Sequence, residues 1–152
     1  SDFELVSWSQ GIVRHNNFYS KGKDNKVASI EKRRLFHIIG IMAEMEIVLQ
    51  AVSTANGKGD YAVKNAKRFI ALRKKLDAVN KAIDNPQIKE AMEAIANLKM
   101  SLKKQDAMAI AAKQITASVV AFAVLNDGSS LEGVDPLLAK DTDYRGAKPG
   151  TQ

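Results

Sequence analysis

The chain contains no cysteine. Disulfides, thiolate catalysis and cysteine-ligated zinc, iron–sulfur or c-type haem sites are therefore excluded. Proline is scarce, with three in 152 residues, and only Pro86 falls between Asn25 and Asn126. Glycine is equally thin there, limited to Gly40, Gly57 and Gly59. The breakers that punctuate a chain of short strands and turns are missing from those hundred-odd residues. Aromatic residues make up only 6 %, so a core must rest on aliphatic side chains and methionine. Two histidines, His15 and His37, leave few candidates for general base or metal ligand. The most apolar stretch, Ala107–Leu125, is interrupted by Lys113, Gln114 and Thr116. A membrane span needs about 18 nearly uninterrupted apolar residues, so this stretch is expected to be a buried helix and no span is expected.

What is present points one way. Apolar residues make up 45 % and charged residues 26 %, an ordinary balance for a globular chain of single-domain length. The apolar positions recur at alternating steps of three and four, the period of an amphipathic α-helix. The expected fold class is all-α: an up-and-down bundle of four to five helices over residues 1–139. An irregular tail, extended or disordered, is expected over residues 140–152.

The first helix is expected from Asp2 to Tyr19, with Leu5, Trp8, Ile12 and Tyr19 on its apolar stripe and His15 in the remaining slot. The second runs from Asp24 or Asn25 to Thr54. Leu35, Ile38, Met42, Met45, Leu49 and Val52 form its seam, and Ile39, Ile41, Ile47 and Val48 widen it. A helix apolar around so much of its girth belongs at the centre. The third is expected from Asp60, as N-cap, to Asp84, with Phe69, Leu72, Leu76, Val79 and Ile83 inward. Asn85-Pro86 stops it and opens a fourth carrying Ile88, Ala91, Ile95, Leu98 and Leu102. The fifth starts near Asp106, with Met108, Ala111, Ile115, Phe122 and Leu125 on its stripe. The 103–105 junction has neither glycine nor proline, which leaves open one bent rod instead of two helices. In the tail, Leu131, Val134, Leu137 and Leu138 are the residues able to dock on the bundle.

The net charge is +6. Lys64, Lys67, Arg68, Lys74, Lys75 and Lys81 follow helical spacing on the third helix. A second cluster, which includes Arg33 and Arg34, opens the second helix. In an antiparallel hairpin about Gly57, residue 33 comes near residue 81 and the clusters merge into one basic pole. The expected function is a non-enzymatic interaction module that docks an acidic protein surface through Arg33, Arg34, Lys67, Arg68, Lys74, Lys75 and Lys81. The alternative is nucleic-acid binding by the same surface, although no aromatics interleave the lysines for base stacking. No catalytic residue, metal site or cofactor is expected. The Glu-x-x-His pairs of di-iron bundles are absent, as are EF-hand and phosphate-loop spacings. His37, seven residues from Glu44, and the flanking Met42 and Met45 are read as packing residues. Glu46 is expected to pair with Lys67 or Arg68.

Overall fold

In the computed structural model, which describes residues 3–11, 27–56 and 59–144, the central helix begins at a serine. Ser29 accepts a hydrogen bond from the Lys32 amide and caps the helix Ile30–Ser53, here α2. A serine side chain that takes up an orphan first-turn amide is a strong start signal. It outweighs the apolar pattern, so the helix starts five or six residues later than the sequence reading expects. Three further long helices follow: α3 (Asp60–Ala82), α4 (Pro86–Ile95) and α5 (Gln105–Leu125). A single-turn helix, α1 (Leu5–Ser9), precedes them. No strand occurs among the described residues, and the chain is an all-α bundle.

Helix α2 packs on α3 and α5, and α4 closes the ring by packing on both α3 and α5. Consecutive helices run antiparallel. Gln105 at the start of α5 donates to the carbonyls of Val52 and Ala55 at the end of α2. At the opposite end, Asn85 before α4 donates to Asn126 after α5. The enclosed core contains Ile38, Met42, Met45, Leu49, Phe69, Leu72, Leu76, Ile88, Ile95, Met108, Ile115 and Phe122. The seams read for the second to fifth helices are all represented there. Ile47 and Leu125 depart from it, being 57 % and 69 % exposed.

Helices four and five are separate. Helix α4 stops at Ile95, residues 98–101 are irregular, and a 3₁₀ turn at Leu102–Lys104 leads into α5. Gly59 rather than Asp60 is the N-cap of α3, because Asp60 already has helical geometry. Asn85 caps α4 by accepting from the amides of Gln87 and Ile88, with Pro86 in the first position.

The first helix differs most from expectation. It ends at Ser9, and its N-cap is Glu4, whose carboxylate accepts from the amides of Val6 and Ser7. The stripe expected of an eighteen-residue helix therefore does not apply. Val6 is fully buried and Trp8 is 44 % exposed. Ile12, His15 and Tyr19 lie outside the described residues. Gly40 in mid-α2 explains how so short a helix seats itself: a Cβ there would come within 2.8 Å of the Leu5 Cβ.

The tail continues the bundle. Residues Glu132–Leu137 form a 3₁₀ segment against α2 and α3, with Leu131 and Val134 buried. A further 3₁₀ turn at Asp141–Asp143 brings Tyr144 into a buried position. The described chain thus stays folded past Lys140, through Tyr144, because one aromatic finds a hydrogen-bond partner and a cleft at this end of the bundle.

Candidate docking surface

The start of α2 and the end of α3 share one end of the bundle, where the hairpin reading expects the basic pole. The chain's own tail occupies that end. Arg34 is only 8 % exposed. Its guanidinium grips Asp135 at two points, Nε to Oδ1 at 2.7 Å and Nη2 to Oδ2 at 2.7 Å. Its remaining arm donates to the Gly128 carbonyl at 3.0 Å. This fork-on-carboxylate geometry is the strong form of an ion pair. Arg33 donates to the Tyr144 hydroxyl at 3.0 Å and stands 3.9 Å from Asp141. Arg33 and Arg34, both expected to dock a partner, are therefore engaged by an acidic segment of the same chain, which acts at the high effective concentration of a tethered partner.

Two more of the seven are engaged. Arg68 binds Glu44 at 2.7 Å, and Lys81 binds Asp77 at 2.6 Å on its own helix. Glu44 takes Arg68 in place of Glu46 because residues two apart on a helix face about 200° from each other. Glu46 points away from α3 and accepts from Gln50. Lys67, Lys74 and Lys75 are exposed and form no ion pair among the described residues, and Lys64 joins them. Of the seven expected cations, Lys67, Lys74 and Lys75 are thus the three that are exposed and without an ion pair among the described residues, and Lys64 extends them along α3.

That row runs between two depressions. One, of about 760 Å³, is lined by Glu4, Ser7, His37, Lys75, Leu138 and Tyr144, among others. The other, of about 690 Å³, is an apolar groove between α3 and the end of α4. It is lined by Phe69, Ile70, Met92, Leu98 and Met100, with Arg73, Lys74 and Lys99 and the Asp77 carboxylate as its charged groups. Lys74 lines the groove and Lys75, about 100° further around α3, lines the other depression. Neither depression was visible in the sequence. The only trace of the groove was Leu98, on the stripe where the sequence had continued α4.

His37 Nδ1 lies 3.3 Å from Glu4 Oε1, so its partner is the N-cap of α1 and not Glu44. Among the described residues no three His, Asp or Glu side chains gather as a metal site would require. Burial pushes the Glu4 carboxyl upward, but the hydrogen bonds from His37, Ser7 and Val6 outweigh it and leave the group below its ordinary 4.5. Asp135 is held below its ordinary 3.8 by the Arg34 hydrogen bonds. Both carboxylates bind protons more weakly folded than unfolded. The stability they contribute is fully present above the ordinary values and is lost as pH falls through the lowered ones. The melting temperature is expected to fall on acidification below about pH 4.5, and more shallowly in Asp135→Asn than in the parent chain. Parallel acid slopes in thermal melts of the two would show that Asp135 carries no such linkage.

By length and composition alone, Ile30–Ser53 and Leu102–Leu125 are apolar enough to cross a membrane. The first of these is the centre of the core. Comparison with protein-family models, curated proteins and solved structures found no match to this chain.

Proposed function

We propose that the chain is a non-enzymatic interaction module that docks an acidic protein surface along α3. The observation that carries this reading is the row Lys64, Lys67, Lys74 and Lys75, exposed and without ion pairs among the described residues, beside an apolar groove whose charged lining is three cations to one carboxylate. A cation already satisfied by its own chain offers a partner little. An unpaired lysine keeps its field for an approaching anion and raises the rate of encounter. The groove supplies what charge alone lacks, namely apolar anchor sites whose two methionines repack around different side chains.

The test is fluorescence anisotropy with a labelled polyglutamate peptide and with random single- and double-stranded oligonucleotides, each at low and moderate salt. Binding of the acidic peptide is expected. Lys67→Glu/Lys74→Glu should weaken it by about tenfold, with an unchanged melting temperature, because exposed charges contribute little to stability. Tight oligonucleotide binding with a steep loss as salt rises, the mark of counterion release, would transfer the same lysines to a nucleic-acid partner. An unchanged affinity and salt slope in the double variant would reduce the row to a solvated face.

A further inference from the structure

The tail holds the two arginines near the start of α2 on unequal terms. Arg34 is fully met: its Nε and Nη2 go to the two Asp135 oxygens and its Nη1 to the Gly128 carbonyl. Arg33 is not. Its Nη1 donates to a neutral hydroxyl, that of Tyr144, at 3.0 Å. The carboxylate paired with it, Asp141, stands 3.9 Å away with its side chain 64 % exposed. Its Nε is buried and has no hydrogen-bond partner. An enclosed guanidinium donor without an acceptor is an unmet demand for an anion.

The segment over Arg33 is also lightly held. Asp141–Asp143 is a three-residue 3₁₀ turn, and Tyr144 is the buried residue that ties it down. The stretch before it is anchored separately by Leu131, Val134 and the Arg34–Asp135 pair. Residues 141–144 can therefore lift while those anchors stay in place. Asp143 and Tyr144 line the 760 Å³ depression together with Lys75, an exposed lysine in no ion pair among the described residues. Tyr144 thus meets Arg33 through its hydroxyl and shares the depression with Lys75.

We propose that the turn Asp141–Tyr144 is a displaceable cover, and that an acidic peptide segment of a partner protein takes its place on Arg33. The cover itself shows what fits: the carboxylates of Asp141 and Asp143 beside one aromatic ring. A partner carboxylate that meets Arg33 at two nitrogens, as Asp135 meets Arg34, binds more strongly than a phenol hydroxyl does. Lifting the turn also joins Arg33 to the Lys75 end of the α3 row. The tethered turn keeps the advantage of high effective concentration, so the closed fraction lowers the partner's apparent affinity. The inference takes the partner's acidity from the α3 reading, but its site is Arg33 and the tail.

Two measurements on the full chain test it, both with the labelled polyglutamate peptide. In fluorescence anisotropy, Tyr144→Ala should tighten binding at least about fivefold, and Tyr144→Ala/Arg33→Ala should lose that gain. In hydrogen exchange followed by mass spectrometry, saturating peptide should speed exchange over residues 141–144 of the parent chain, where the Asp143 and Tyr144 amides donate to the Lys140 and Asp141 carbonyls. The second measurement needs no substitution, so it decides the matter even where Tyr144→Ala unfolds. Exchange that is unchanged or slowed by bound peptide overturns the proposal. So does a Tyr144→Ala affinity equal to the parent's, or a gain that survives loss of Arg33. Binding weakened by Lys67→Glu/Lys74→Glu yet indifferent to Tyr144→Ala would keep the α3 reading and overturn this one. An Arg33-dependent gain with no effect of the lysine reversals would do the opposite. Absence of peptide binding by both the parent chain and Tyr144→Ala overturns both.

Discussion

A chain ending at Gly128 will melt on the order of 10 °C below one ending at Tyr144. The shortened chain loses Leu131 and Val134, which are 2 % and 0 % exposed, each contributing about 1.5–3 kcal/mol by burial. At this chain length each kcal/mol moves the melting temperature by about 2–4 °C. The cut also takes away Asp135 and with it the two-point ion pair to Arg34, whose guanidinium is then uncovered to water. A chain ending at Ala139 keeps those anchors and loses Tyr144 with its hydrogen bond from Arg33. Its melting temperature should drop by only a few degrees. Thermal denaturation followed by circular dichroism separates the three. Equal midpoints would show that the tail adds nothing to the bundle.

Gly128→Ala will cost about 3 kcal/mol, a fall of roughly 10 °C, from one added methyl group. Two penalties combine. Gly128 has φ +90°, a conformation that only glycine adopts freely. A Cβ at this position would also lie 2.2 Å from the Glu31 carbonyl oxygen, which is backbone and has little room to yield. The residue sits where the chain leaves α5 and turns across the start of α2, and its own carbonyl accepts from Arg34. Displacing it should loosen the Arg34–Asp135 clamp as well. Loss of the acid-sensitive part of the stability profile in Gly128→Ala would confirm that the turn and the clamp act together. A melting midpoint within a degree or two of the parent chain would mean that the turn relaxes freely and the close approach is immaterial.

The sequence by itself determined the four long helices and their inward faces, though not the short first one. A 3.6-residue period is a local property. Leu35 to Val52, Phe69 to Val79 and Ile88 to Ile95 each state on their own which side of the helix avoids water. Asn85-Pro86 fixed a helix boundary for the same reason, since cap and ring chemistry act within one turn. Only the tertiary structure decided which cations remain free. Arg34 and Asp135 are 101 positions apart, and nothing local to either signals the other. Their meeting depends on the path the chain takes after α5, which Gly128 sets. The same holds for α5: its composition shows a helix apolar on several sides, and only the fold reveals that Ile110, Val120 and Val124 are left exposed. Periodicity reports how a segment is divided between oil and water. It carries no information on which segment, or which other chain, lies across the boundary, because that depends on packing between elements distant in sequence.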